Sequence, residues 1–566
     1  MFSRRSRGPT GPDLALLVAL TAAILAGAVP GEAQNRTTPG KIASYSTIHS
    51  IGIEWRVSGD ANHNATVNVQ YRAQGAPSWK AALPLVRVDN AYNGNGFAGS
   101  ILFLDPGTTY KVQLELSDPD GGADGRRMLT VVTRPLPTLP TGGRSFHVVP
   151  GSGGGDGSPG NPFQGIAAAQ AVARPGDTFF VHAGSYGGRP TFSVPGVAGN
   201  YIVWMAAGDG EALFVDGFNL GASHIWVEGL TVRDQAFATF SLDCPSDVVV
   251  RRNFFYNSHY NIYLQRGGEG WYIADNTIVG DEDPAGESFD GEGIELNGQF
   301  AACGANNHTV AHNSISRVAD GISTPGTNVD IFGNDIFDTS DDGIETDEGK
   351  TNVRVWGNRI HNAVHNAFSF QPQIGAPWYF IRNQVINNLE DILKYRQFDR
   401  AVILHNTFVH WEDLQPAGGA AGLLMSISRN NLWISIHGGQ IWWGFGTFDW
   451  RTDLDYDGFD WGGSTRPFFF NGTTYPDLKS FSAGTGQEAN GIQISHLTCI
   501  PTMVVPANSP EPVPPQHLVL APGCPAIDAG AILPNINDGF VGSAPDMGAY
   551  EDGQPLPTYG PRPDAR

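Results

Sequence analysis

The segment Asn352-Val-Arg-Val-Trp-Gly-Asn358-Arg-Ile360 runs a short strand into Gly and Asn and begins a second strand at once. An Asn followed two places later by an apolar residue recurs as Asn253/Phe255, Asn276/Ile278, Asn313/Ile315, Asn334/Ile336, Asn358/Ile360, Asn383/Val385, Asn406/Phe408 and Asn430/Leu432. Successive intervals are 23, 37, 21, 24, 25, 23 and 24 residues. Gly229 fits one turn earlier. A fixed period of this length is the mark of a solenoid, in which each unit buries its apolar face only against its neighbours. A leucine-rich repeat needs a Leu-x-x-Leu-x-Leu ladder, which is absent. Short strands punctuated by Gly and Asn suit three-sided coils, with Asn side chains stacked at one turn to satisfy its backbone. The repeated Asn residues are therefore scaffold. The 37-residue interval implies an insertion of about 13 residues, with Asp281 to Ser288 the natural candidate.

Outward from the repeat, Gly151 to Phe163 forms a Gly-rich entry, followed by an amphipathic stretch to Ala173 and the strand Thr178-Phe-Phe-Val181. Without a GK[ST] this is no phosphate loop, and a helix closing the solenoid's open end explains it better. The order of Gly-rich entry, Asn-Pro-Phe, helix and Pro-Gly-Asp strand is similar to the start of pectate-lyase-like proteins. The resemblance implies a right-handed parallel β-helix over 144–555. The tail containing Cys524-Pro-Ala-Ile-Asp-Ala-Gly530 and Ala544 to Glu551 resembles the terminal segment of bacterial secreted β-helix proteins and is expected to cap the solenoid.

Ahead of the Pro/Gly/Thr linker at Pro135 to Gly143, residues 41–134 show the period-two alternation of half-buried strands, as in Tyr110-Lys-Val-Gln-Leu-Glu-Leu116. Leu104 to Tyr110 resembles a tyrosine corner. With Trp55 on an early strand, the unit resembles a fibronectin type III sandwich. The fold class is thus all-β, a small β-sandwich preceding a parallel β-helix.

Arg4, Arg5 and Arg7, the apolar run Leu14 to Val29 and Gly31-Glu-Ala33 have the order of a secretory signal peptide over 1–33. The run is short for a membrane span, and no other long one exists. A secreted, extracellular protein, without a membrane span once mature, is expected. In that setting Cys244, Cys303, Cys499 and Cys524 are expected to form two disulfides, Cys244 with Cys303 and Cys499 with Cys524. No Cys/His spacing suggests zinc. Charged residues make up 16% of the chain and the net charge is −22, which disfavours nucleic acid as a partner and repels polyanions unless cations bridge the contact. A monomer acting on a polysaccharide is expected.

The repeat also serves as a ruler. Equal offsets place residues in one row, about 4.8 Å apart per coil. Eleven residues after the Asn come Glu345, Ser369 and Lys394; thirteen after come Asp347, Gln371 and Arg396. Aligning Gly293-Ile-Glu295, Gly321-Ile-Ser323 and Gly343-Ile-Glu345 brings Glu295 into the first row, Asn297 into the second, and Tyr263 ahead of Glu295. Both charge signs gather on this one outer face in a chain otherwise poor in Lys.

Two reactions suit these residues. In β-elimination of a uronate polysaccharide, Glu345, Asp347 and Glu295 would hold Ca²⁺ through oxygen ligands, while Lys394 or Arg396, its pKa lowered by neighbouring cations, acts as base. Gln371, Ser369, Asn297 and Tyr263 would bind the substrate. The paired acids with nearby Lys and Arg resemble Ca²⁺-dependent lyases of the alginate and chondroitin B type. That likeness implies a Lys base soon after the acids, making Lys350 a competitor of Lys394. In glycoside hydrolysis, Glu295 and Glu345, about 9.6 Å apart by coil counting, would be the carboxyl pair. Asp341-Asp342 resembles the aspartate cluster of polygalacturonase-type hydrolases, whose Asn-Thr-Asp and Gly-His-Gly segments this chain lacks. His361 and His365 fall near the groove without a nucleophile elbow. Trp442, Trp443, Trp450 and Trp461 would stack on sugars or pack internally. A non-catalytic adhesin or glycan-binding protein is the reading from another class.

Overall fold

The computed structural model describes residues 35–122, 125–286, 288–298, 301–371, 373–395, 398–414, 423–442, 451–508 and 511–563. The signal-peptide reading of 1–33, and Arg396, Trp443 and Trp450, lie outside them.

The chain winds into a right-handed parallel β-helix. Among the described residues its three walls are a fourteen-stranded, a thirteen-stranded and a nine-stranded parallel sheet, called here the first, second and third sheets. One turn contributes Val353–Trp356 to the first, Arg359–His361 to the second and Phe368–Phe370 to the third. The interior is stacked from like residues. Val353 and Val355 pair with Trp378 and Phe380, Ile336 with Ile360, and Ile322 with Ile344 and then Phe368; all belong to one core. Each such side chain contributes roughly 1.5–3 kcal/mol on burial.

The turn between first and second sheets carries the Asn ladder. Asn358 Nδ2 donates to Ile331 O at 3.0 Å and to Asn383 Oδ1 at 3.0 Å, and accepts in turn from Asn334. The residue before each ladder Asn is left-handed, as at Arg252, Asp275, His312, Gly333, Gly357, Arg382, His405 and Asn430. Asn430 is thus the turn residue, and Asn431 the ladder member, bonded to Asn406. This corrects the sequence register by one residue at the last repeat. Asp457 then takes the ladder position, accepting from Asn431.

A short helix, Ile166–Gln170, closes the N-terminal end with Ile166 and Ala169 in the core. At the other end Phe481, on the helix Leu478–Thr485, joins the same core and stacks on Phe468. The tail does not cap this end as expected. Leu518, Cys524, Ala526 and Met547 lie against Ile386, Val409, Leu432 and Ile434 on the second sheet. Those outward residues are apolar and require a cover. The tail runs on to Gly560, whose N–H donates to Gly333, and Arg562, ion-paired with Asp275. Both disulfides, Cys244–Cys303 and Cys499–Cys524, are formed.

Strands Thr38–Ser46 to Gly125–Val132 form a separate antiparallel sheet, closed around Trp55, Val67, Val112 and Leu114, which fits a small β-sandwich. It rests on the first sheet. Asp330, fully buried, accepts from Thr47 and Ser50 and pairs with Arg354, whose Nη1 reaches Ser100 Oγ at 3.0 Å. The tail covers the second sheet, and the sandwich, joined by Leu533 and Ile536 of the tail, covers part of the first. No helix among the described residues is long and apolar enough to cross a membrane.

Candidate functional site

The row inferred from spacing exists on the third sheet. Tyr263 pairs with Glu295, Glu295 with Ser323, Ser323 with Glu345, Glu345 with Ser369 and Ser369 with Lys394. Beside it runs a second ladder, three residues earlier on each coil. Asp320 Oδ1 accepts from Asp342 N at 3.1 Å, Asp342 Oδ1 from Asn366 Nδ2 at 2.6 Å, and Asn366 Oδ1 from Asp391 N at 3.1 Å. These side chains stitch the turn into the third sheet much as the Asn ladder stitches the turn out of the first. The structural task needs one acceptor oxygen per coil, and Asn366 performs it without charge. Asp at 320 and 342 is thus more than the turn requires.

Glu292 pairs with Asp320 across this edge. Carboxylate oxygens of Glu292, Asp320 and Glu345 lie within 4.8 Å of one another, and so do those of Asp320, Asp341 and Asp342. Lys394 Nζ stands 3.3 Å from Asp342 Oδ2, the oxygen not used by Asn366. Asp341 Oδ1 is buried without a hydrogen-bond partner among the described residues.

So many carboxyls in a confined space cannot all ionise cheaply. Burial and the Glu295 carboxyl push Glu292 up to about 8. Burial and Asp342 push Asp341 up to about 7. Glu295 rises to about 7 through burial and Asp290, and Asp391 to about 7 through burial and Glu390. Burial also raises Asp320 and Glu345, helped by their charged neighbours. For Lys394 burial acts downward, but Asp342 and Asp341 outweigh it and hold the ammonium above its ordinary range. The expected lowering of the Lys394 pKa is therefore reversed. Its neighbours among the described residues are anions rather than cations, and they favour its charged form.

Other expected site residues are occupied elsewhere. Lys350 lies beyond a left-handed turn at Glu348 and donates to Gly298 O at 2.8 Å, fastening a loop. Asn297 is left-handed, buried, and gives its amide to Gln265 O. Ser369 is buried and donates to Asp347, which also accepts from the Gln371 N–H. Glu292 and Asp320 bring carboxylate oxygens within 4.8 Å of Glu345, and the charge of Asp347 also acts on Glu345. Tyr263 is half-buried in a stack with Phe237, Phe240 and Tyr260. His361 lies on the second sheet, stacked on Phe337, while the backbone N–H of His365 donates to the backbone carbonyl of Asp341 and its ring Nδ1 lies 3.2 Å from Glu390. Trp461 packs edge-on against Phe468.

The sequence did carry a signal for the second ladder. Glu292, Asp320 and Asp342 each immediately precede the Gly-Ile pair that aligns the coils. Period-two alternation hides it, because a residue three before an outward one should point inward. Here the strand is only Ile344–Glu345, so Asp342 belongs to the turn and alternation does not apply to it.

The inserted segment after Thr277–Gly280 walls one side of this cluster. Ser340 Oγ donates to Ser288 O at 3.2 Å, and the Phe289 ring lies 5.2 Å from that of His365.

Residues 238–408 match the family model described as the right handed beta helix region. The match includes every turn that contributes to the carboxyl cluster. No curated protein is significantly similar to the chain. Fold and comparison together define a right-handed parallel β-helix protein, an architecture consistent with polysaccharide-active or surface-binding proteins.

Proposed function

We propose that this protein hydrolyses a polysaccharide laid along the third sheet, using the carboxyls of Asp341 and Asp342. The observation that carries the reading is the carboxylate ladder Asp320–Asp342, placed where Asn366 shows that an amide serves the backbone equally well. Asp341, whose Oδ1 has no hydrogen-bond partner among the described residues and whose carboxyl is raised to about 7, is suited to protonate a glycosidic oxygen at neutral pH. Carboxyls this close, within 4.8 Å, suit double displacement rather than direct attack by water: Asp342, beside Lys394, bonds to the anomeric carbon as the C–O bond to the leaving sugar breaks and Asp341 gives that oxygen its proton. A water that passes its proton back to Asp341 then takes the place of Asp342 on the sugar. Lys394 keeps its charge and anchors an acidic or hydroxyl group of the substrate.

The oxygen-only set of Glu292, Asp320 and Glu345 suits a hard cation such as Ca²⁺, which when bound would neutralise their repulsion and bridge to anionic sugars. That set favours a second reading, β-elimination of a uronate polysaccharide. The charged state of Lys394 weighs against it as the base. We further read the protein as exported, with a fibronectin type III-like module at its front. The strand order of the antiparallel sheet and the Asp105 N–H bond to the Tyr110 hydroxyl at 3.0 Å support that module.

A screen of acidic and neutral polysaccharides tests the proposal. New reducing ends without near-ultraviolet absorbance, lost in Asp341→Asn, are expected. An unsaturated uronate signal abolished by chelator would establish elimination instead. Binding without cleavage would establish an adhesin.

A further inference from the structure

The 37-residue interval places one extra segment in the solenoid, and its position is not that of a passive surface loop. It leaves the second sheet after Gly280 and rejoins the third at Glu292, the first residue of the carboxyl cluster. At its base His259, from the preceding coil, faces three carboxylates of the loop. Its Nδ1 lies 3.2 Å from Asp281 and 3.3 Å from Glu282, and its Nε2 lies 3.4 Å from Asp290. Tyr260 adds a hydrogen bond to Asp290. At its tip the loop reaches forward along the axis. Ser288 meets Ser340, two coils on, and Phe289 meets His365, three coils on.

Phe289 is 66% exposed, and the backbone N–H of His365 beside it donates to the carbonyl of Asp341, whose side-chain Oδ1 lacks a hydrogen-bond partner among the described residues. An exposed phenyl ring costs solvation unless something covers it, and the loop is fixed at both ends, so the ring is held where it stands. The ring contact it makes among the described residues is with His365, which leaves most of the ring uncovered.

We propose that the inserted loop is a substrate clamp, in which Phe289 packs against the apolar face of a sugar ring bound over Asp341 and His259 fastens the loop through Asp281, Glu282 and Asp290. The ligand class is a pyranose unit of a polysaccharide, since a pyranose face is apolar while its rim bonds to carboxyls. This inference rests on the polysaccharide reading above. Phe289 and His259 act by positioning and take no part in proton transfer.

The test uses the full chain with polygalacturonate, alginate and xylan oligosaccharides, comparing wild type with Phe289→Ala, Phe289→Trp and His259→Gln. For the cleaved oligosaccharide, Phe289→Ala is expected to raise KM roughly three- to tenfold, the worth of one aromatic contact, with kcat within about twofold. Phe289→Trp should restore KM, which loss of fold would not allow. His259→Gln should raise KM in the same direction. Cleavage by wild type with an unchanged KM in Phe289→Ala overturns the clamp and leaves the hydrolase standing. An unchanged KM in His259→Gln overturns the fastening role. Failure of wild type to bind or cleave any of the three overturns the site reading and the clamp with it.

Discussion

Lys394 Nζ and Asp342 Oδ2 stand 3.3 Å apart although 52 residues separate them in the chain. Two turns of the solenoid bring them together, and the other oxygen of Asp342 is bonded to Asn366 between them. The pair therefore reports both scaffold and site. Lys394→Met is expected to lower turnover by at least about 100-fold while leaving the circular dichroism spectrum unchanged. Turnover within twofold of wild type on the cleaved polysaccharide would remove Lys394 from the site.

Asp341→Asn keeps the shape of the side chain and removes its proton. Loss of a general acid typically costs about 10²–10⁴ in rate. The same variant should raise Tm at pH 8, because it relieves repulsion with Asp342. Activity loss with a lower Tm would instead mean a structural role.

The pH dependence follows from the raised carboxyls. Between their ordinary value near 4 and about 7, folded Glu295 and Asp341 hold protons that the unfolded chain has released. Stability therefore falls as pH rises through that window. Tm is expected to be some degrees lower at pH 8 than at pH 5.5 in chelator. Hydrolysis should also decline above about pH 7 as Asp341 loses its proton. A rate rising steadily to pH 9 would contradict Asp341 as the acid.

Ca²⁺ should counter that loss. If Glu292, Asp320 and Glu345 hold the ion, Tm at pH 8 rises with Ca²⁺ concentration by mass action, and more than at pH 5.5, where protons occupy the same oxygens. Asp320→Asn should abolish the rise. Equal Tm with and without Ca²⁺ at pH 8 would exclude the ion from this set.

Two scaffold variants separate folding from function. Asn358→Ala removes bonds to Ile331, Asn334 and Asn383 and is expected to cost about 3 kcal/mol. Arg354→Met leaves Asp330 buried beneath the sandwich without its partner, at about 3–5 kcal/mol. Limited proteolysis in the linker at 135–143 should accelerate in Arg354→Met. An unchanged cleavage rate would show that the sandwich is held by its apolar contacts alone.

The sequence by itself determined the solenoid, because each coil repeats the same Asn turn and the same inward apolar positions, and a period needs no knowledge of three dimensions. It also determined the row Glu295–Ser323–Glu345–Ser369–Lys394, since equal offsets in a stacked coil must be neighbours. Tertiary structure alone decided which carboxyls meet. Asp342 lies in the turn before its strand and Asp320 at the first position of its own, where the Asp320 side chain reaches along the axis to the next coil's N–H, so strand alternation assigns them to the wrong face. Tertiary structure likewise decided the charge state of Lys394, because an ammonium's pKa depends on anions brought near it from other coils. It also decided the path of the tail, which runs over the second sheet and covers that wall's outward apolar residues.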